Sequence, residues 1–222
     1  LKPDIYTYST LLKSIKQYDP NNKYVDKIFN ILKSIKLSET KGIKQDELLY
    51  NCIIDTCIKY NKIKEAEYIY NDMLELGVTP SLITYGIMIK AYGNSYEIDK
   101  ALEIFEKMKE KNIEPNDIIY GSLLNACIKS NKFRIAEEIF NDMKKQNFPL
   151  NNILYTTLIK GYTKAKNFDK AYEIFNELIN DKEVKKNTIS YNSILDSCIE
   201  CGKFNMLGKI YEDFKTIAQQ NE

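Results

Sequence analysis

The 222 residues contain no histidine. That removes imidazole acid/base catalysis, Ser-His and Cys-His nucleophile pairs, and most zinc sites. No glycine-rich phosphate-binding loop is present. No apolar run reaches about 18 residues, so a membrane-spanning helix is not expected. Neither sign of charge is in excess: 32 Lys and Arg stand against 31 Asp and Glu, for a net charge of +1. That balance weighs mildly against a nucleic-acid reading. Cysteine is scarce and odd in number, five in all, and none of these residues reads as a signal peptide, so a reducing compartment is expected. Acidic pairs such as Asp72 with Glu75, or Glu137 with Glu138, read as solvated outward faces. The expectation is a non-enzymatic chain with no metal and no cofactor.

What is present is a repeat. Glu47 to Ser81 and Leu82 to Asn116 are each 35 residues long and align without gaps. Tyr50 falls on Tyr85, Ala66 on Ala101, Met73 on Met108 and Pro80 on Pro115. Such self-similarity marks a repeat array, and it overrides the one-or-two-domain prior that length alone would give. With 44% hydrophobic and 28% charged residues, the chain can build a core and is not a disordered tail. The expected units are 5–46, 47–81, 82–116, 117–151, 152–187 and 188–222. Residues 1–4 read as the tail of an earlier unit, so a longer protein with an upstream targeting segment is expected. The first unit is overlong, and the turn-rich Asp19-Pro20-Asn21-Asn22 holds some of the excess. Position one below means the residue equivalent to Glu47.

Each unit reads as two helices. Tyr85, Met88, Ile89 and Tyr92 recur at i, i+3, i+4 and i+7, one apolar face of a first helix. Gly93-Asn94-Ser95 is expected to break it. Ile98, Ala101, Leu102, Phe105 and Met108 form the face of a second helix, which Asn112-Ile113-Glu114-Pro115 should end. Ala66, Ala101, Ala136 and Ala171 share one position, where a small side chain lets paired helices approach closely. Cys57, Cys127 and Cys198 share another, on the packing face of the first helix. Cys198-x-x-Cys201 is a lone pair, read as structural. Helix pairs of this kind cannot bury their faces alone. The expectation is therefore an all-α, right-handed α-solenoid of stacked helix-turn-helix repeats.

Two families fit this period. Tetratricopeptide repeats run 34 residues and would make the chain a protein-binding scaffold. The units here open with an apolar or β-branched residue followed by Tyr, as in Thr84-Tyr85 and Leu154-Tyr155. Then comes A-x-x-[IL]-[FY]-x-x-M, as in Ala101 to Met108, and the unit closes as in Gly77-Val78-Thr79-Pro80-Ser81. With these motifs the chain more closely resembles the second family, the pentatricopeptide repeat, over nearly its whole length.

The resemblance implies single-stranded RNA as partner, one base per repeat read by a few side chains. The fifth and closing residues read the base: Ser9 with Asp46, Asn51 with Ser81, Gly86 with Asn116, Gly121 with Asn151, Thr156 with Asn187, and Asn192 alone. The second residues sandwich it: Tyr6, Leu48, Ile83, Ile118, Ile153 and Ile189. By the same resemblance, Asn51 with Ser81 points to cytosine, Thr156 with Asn187 to adenine, and Ser9 with Asp46 to guanine. The glycine repeats should discriminate weakly. The resemblance also implies a mitochondrial or plastid protein acting in RNA stabilisation, processing, editing or translation.

The residues add a physical reading. Positions five, nine and thirteen share one stripe of the first helix, opposite the apolar positions four, seven, eight and eleven. The stripe carries Lys13, Lys90 and Lys160 at position nine and Lys59, Lys129 and Lys164 at position thirteen, suited to phosphates of a single strand. Asp55, Asp196 and Glu200 interrupt it, so the sixth repeat should hold phosphate poorly. The tyrosines at position four face the core. Asp46, Ser81, Asn116, Asn151 and Asn187 are also good N-caps, and capping alone accounts for them as well as base reading does. Two alternatives stay open beside RNA recognition by this segment alone: a protein-binding scaffold, and the RNA-binding arm of a longer enzyme such as a transfer-RNA-processing nuclease.

Overall fold

A computed structural model describes Thr10, residues 47–184 and residues 187–220. Tyr6, Ser9, Lys13 and Asp46 of the first repeat lie outside the described residues. From residue 47 onward the described residues form ten helices and no strand: α1 (Glu47–Lys59), α2 (Ile63–Glu75), α3 (Leu82–Asn94), α4 (Ile98–Glu110), α5 (Asp117–Lys129), α6 (Phe133–Lys145), α7 (Asn152–Lys164), α8 (Phe168–Asn180), α9 (Thr188–Glu200) and α10 (Phe204–Gln220). None is long and apolar enough to cross a membrane.

The first helix of each pair starts, from α3 on, on a capped residue. Asn116, Asn151 and Asn187 are extended, and each Oδ1 accepts the amide three residues on, at 3.0, 3.1 and 3.1 Å. Ser81 Oγ accepts from the Ile83 amide at 3.2 Å. Each cap satisfies one of the donors a helix start leaves open and stabilises by about 1 kcal/mol.

The same helices end on a left-handed residue at position fifteen: Asn61, Tyr96, Asn131, Lys166 and Gly202, with φ of 58°, 62°, 56°, 57° and 69°. The next amide then reaches back to a carbonyl of the last turn, as Lys62 N does to Cys57 O at 2.8 Å and Asn167 N to Tyr162 O at 2.9 Å. This is the Schellman closure. Gly77, Asn112 and Asn147 end α2, α4 and α6 in the same way. Helix α8 differs. Asp181 leaves it extended, at φ −70° and ψ 118°, in the repeat that carries one extra residue.

Helix α3 ends at Asn94, inside the expected Gly93-Asn94-Ser95 break, although Gly93 itself is still helical. The bare Cα of Gly93 faces Ala126, where an added Cβ would fall 2.6 Å from the Ala126 Cβ. One expectation is corrected: Pro115 does not end α4. The helix stops at Glu110, and left-handed Asn112 makes the turn.

The chain divides into two compact units, residues 1–91 with 104–114, and residues 92–103 with 115–222. Within the second unit, α5 packs on α7 and α7 on α9, while α6, α8 and α10 each pack on the helix they follow. This is the stacking of an all-α solenoid built from helix-turn-helix repeats. Tyr120, Tyr155 and Tyr191 at position four are buried. The rings of Phe140 and Phe175 meet Tyr155 and Tyr191 of the next repeat edge-on, at 5.2 and 5.4 Å, the arrangement aromatic quadrupoles favour. Ala136 and Ala171 are fully buried. Within the first unit α1 packs on α2, with Tyr50, Tyr85, Ala66 and Met73 buried.

The acidic pairs need a correction too. Asp72 and Glu137 are half-buried, not simply solvated. Tyr50 Oη donates to Asp72 at 3.1 Å, and Tyr162 Oη to Glu137 at 2.6 Å. Glu75 and Glu138 are exposed, as expected. The cysteines form no disulfide, and Cys57, Cys127 and Cys198 are buried. Burial pushes the Cys127 thiol up to about 11.

Candidate nucleic-acid interface

The first helices α1, α3, α5, α7 and α9 present the expected positions, and three environments separate them. Position two is exposed. Leu48 and Ile83 in the first unit, and Ile118, Ile153 and Ile189 in the second, are between 58% and 68% exposed. Scattered single exposed aliphatics need no explanation, but these five recur at one repeat position, just past the cap. They are five of the eleven large hydrophobic residues exposed among the described residues.

Positions nine and thirteen are polar. Lys59, Lys90, Lys129, Lys160 and Lys164 are all exposed. Lys59 lies 5.9 Å from the Tyr60 ring centre, and Lys129 Nζ donates to Asn94 Oδ1 at 2.7 Å. In the second unit a groove of about 320 Å³ runs along α5, α7 and α9. Lys160, Lys164 and Asn125 line it together with Asp196 and Glu200, over Ile128 and Gly161. It is therefore basic along α7 and acidic along α9.

Position five is not uniformly open, although it belongs to the same polar stripe. Asn51 and Thr156 are buried, Gly86 and Gly121 half-buried, and Asn192 exposed. In repeats two and four position five lies in the seam with the next first helix and faces its position three. Thr84 Oγ1 lies 2.8 Å from Asn51 Oδ1, and a Cβ on Gly121 would sit 3.9 Å from Leu154 Cδ2. Thr156 Oγ1 donates to its own helix at Asn152 O, 2.7 Å, the default bond for a helical threonine.

Sequence reasoning overlooked a further group at position one. Glu47 Oε1 accepts from Asn51 Nδ2 at 3.1 Å and from the Ser81 amide at 3.2 Å, and lies 3.0 Å from Thr84 Oγ1. Burial alone would raise this carboxyl. The hydrogen bonds from Ser81, Thr84 and Asn51 outweigh it and hold the group below its ordinary value. In the second unit Asp117 Oδ2 accepts from Asn151 Nδ2 at 3.1 Å, and Asn152 Oδ1 from Ser190 Oγ at 2.6 Å. The available signal was a polar residue at a position that opens each first helix. Leu82, at the same position, breaks that pattern.

A family model described as the pentacotripeptide-repeat region of PRORP matches residues 2–132 and again residues 98–221. Two pentatricopeptide repeat-containing proteins of Arabidopsis thaliana, both chloroplastic by name, are similar. One is 26% identical over 93 residues, 42% of this chain and 10% of the relative; the other is 26% identical over 98 residues, 44% and 12%. The chain thus spans only a small part of those relatives' length.

Among solved structures, the pentatricopeptide repeat protein PPR10 from maize aligns with a TM-score of 0.70 at 19% identity, over 97% of this chain and 34% of that one. PPR10 in complex with an 18-nt psaJ RNA element aligns at 0.71 and 17%, over 96% and 32%. The PPR domain of Arabidopsis thaliana protein-only RNase P 1, in complex with tRNA, aligns at 0.62 and 18%, over 78% of this chain and 90% of that one. The family model accounts for almost every residue of the sequence, and the helix pairs, caps and inward tyrosines are those the repeat demands: the chain belongs to the pentatricopeptide repeat family.

Proposed function

We propose that this chain binds single-stranded RNA sequence-selectively, one nucleotide per repeat. The observation that carries the reading is the recurrence of exposed aliphatic residues at position two, beside the seam that holds positions five and thirty-five. Ile153 and Ile189 would cover the two faces of one base, removing apolar surface from water on each side. Thr156 and Asn187 would then meet its edge. The Thr156 hydroxyl exchanges its bond to Asn152 O for one to the base, which conserves the number of hydrogen bonds. Lys129, Lys160 and Lys164 would track the phosphates. The complex of PPR10 with RNA supports the reading by similarity of fold.

By the pairings that the family resemblance implies, repeat two selects cytosine and repeat five adenine. Gly121 and Gly86 offer a base no side-chain donor, so repeats three and four discriminate weakly. Asp196 and Glu200 repel phosphate at repeat six. The setting is organellar RNA metabolism, a mitochondrion or plastid, in keeping with relatives named chloroplastic.

A second reading has its own support: this segment as the RNA-binding arm of a longer RNA-processing enzyme. The matching family model is described as a region of PRORP, and the aligned PPR domain of protein-only RNase P 1 is in complex with tRNA. Filter binding against a random single-stranded RNA pool, with a structured tRNA precursor as competitor, tests both. Enrichment of a short unpaired motif supports the first reading. Preference for the precursor with no enriched motif supports the second. No retention of either RNA contradicts both.

A further inference from the structure

Glu47, Asp117 and Asn152 open their repeats and take no part in the two-residue reading of a base, yet each holds a residue that does. A carboxylate can only accept, so the end of Asn51 facing Glu47 Oε1 at 3.1 Å is the NH2 end. The Asn51 Oδ1 then faces Thr84 Oγ1 at 2.8 Å. Thr84 has one hydroxyl proton for this oxygen and for Glu47, which it serves one at a time. Asn51 is left with one N–H and one lone pair for a base, in a fixed order. With the carboxylate gone, the amide can turn over, and donor and acceptor change places.

Repeat four has the same device on the other reading residue. Asn151 Oδ1 caps the Leu154 amide at 3.1 Å, and its Nδ2 gives one proton to Asp117 Oδ2 at 3.1 Å. One donor remains. In repeat five the hold passes through Ser190, whose Oγ lies 2.6 Å from Asn152 Oδ1 and 3.1 Å from Asn187 Oδ1.

We infer that position one is a third determinant of base choice, acting as a positioning residue: Glu47 fixes which end of the Asn51 amide a base meets, and Asp117 takes up one of the two N–H donors of Asn151, whose orientation the cap already sets. The inference rests on the RNA reading proposed above, and it adds a residue type to that reading without changing its partner. Repeats whose first residue is apolar, such as the one opened by Leu82, lack this control.

The test uses the full chain and a set of RNAs in which each position of one bound sequence is varied singly. Wild type, E47Q, E47A and D117N are titrated against the whole set. E47Q and E47A are expected to change the base ratio at one nucleotide by about tenfold, the effect of one charge-assisted hydrogen bond. D117N should do so at a second nucleotide, two positions away, and every other nucleotide should be read as in wild type. Ratios unchanged everywhere overturn the inference and leave the RNA reading standing. A uniform loss at all nucleotides also overturns it, since Glu47 would then only support the fold. A wild type with no preference at any nucleotide brings down the RNA reading and this inference together. A second arm needs no RNA: the Asn51 side-chain amide resonances must move in E47Q, and unmoved resonances mean that Glu47 does not orient that amide.

Discussion

Gly93 of α3 lies so close to Ala126 of α5 that a Cβ on the glycine would sit 2.6 Å from the Ala126 Cβ and 3.4 Å from its Cα. The alanine cannot retreat without moving its helix. G93A is therefore expected to destabilise by about 1 kcal/mol net, overpacking of about 1–3 kcal/mol outweighing the gain in helix propensity of up to about 1 kcal/mol. Adding A126G should return most of the loss, because the small residue has only changed sides. Chemical denaturation of the two single variants and the double variant measures this coupling. Additive losses would mean the helices do not touch there.

The seam makes another glycine a place to add function. Nothing lies closer than 3.9 Å to a Cβ built on Gly121, and Asn151 already closes that repeat. G121T would reproduce the Thr156 and Asn187 pair in repeat four. Stability should be unchanged or raised, since glycine is a poor helix former. Discrimination for adenine should appear at one nucleotide, on the order of 1–3 kcal/mol, by analogy with a good base contact in DNA. Binding titrations with the four bases at that nucleotide read the result.

Alkaline pH probes the buried tyrosines. Burial, then the charges of Asp72 and Asp181, raise the Tyr50 and Tyr155 phenols; burial and the hydrogen bond to Glu137 raise Tyr162. Their folded values lie above the ordinary 10.0, so they stabilise the fold fully below that pH. The contribution is lost as pH climbs from there towards the folded values, because the unfolded chain ionises first. Helicity should therefore fall cooperatively above about pH 10, together with tyrosinate absorbance from these residues. Smooth ionisation with full helicity would contradict the Tyr–carboxylate bonds.

How much of this could be read from the sequence depended on how far the causes lay apart. The period, the inward tyrosines and the small alanines all follow from patterns within one repeat. The role of Gly93 did not, because its reason is Ala126 in the next repeat; alone it reads as a helix breaker. The segment Asn112 to Pro115 marks the end of α4, but the cause is the left-handed turn at Asn112 and not the proline. Asp72 and Glu137 have the spacing of surface acids, but their side chains reach back to phenols on another helix. Position five shares the lysine stripe by helical phase, yet Asn51 and Thr156 are buried because the next repeat closes over them. Glu47 was missed for a similar reason: two of its partners, Ser81 and Thr84, lie more than thirty residues away.

The lysines should supply affinity without choice of base. Replacing Lys59, Lys129 and Lys164 together by Ala should weaken binding to all single strands alike. The slope of log affinity against log salt should flatten by about 0.7 for each phosphate no longer neutralised, about 2 for the three. An unchanged slope would make these lysines ordinary solvated surface.

The most direct test of sequence-selective reading is a binding titration of wild type and the T156N/N187D double variant against RNAs that differ at one nucleotide. By the pairing the family resemblance implies, wild type should prefer adenine there and the double variant uracil. The ratio should shift on the order of 1–3 kcal/mol, with neighbouring nucleotides read as before. A preference that stays with adenine, or that moves at some other nucleotide, would contradict the assignment of Thr156 and Asn187 as the residues that read the base.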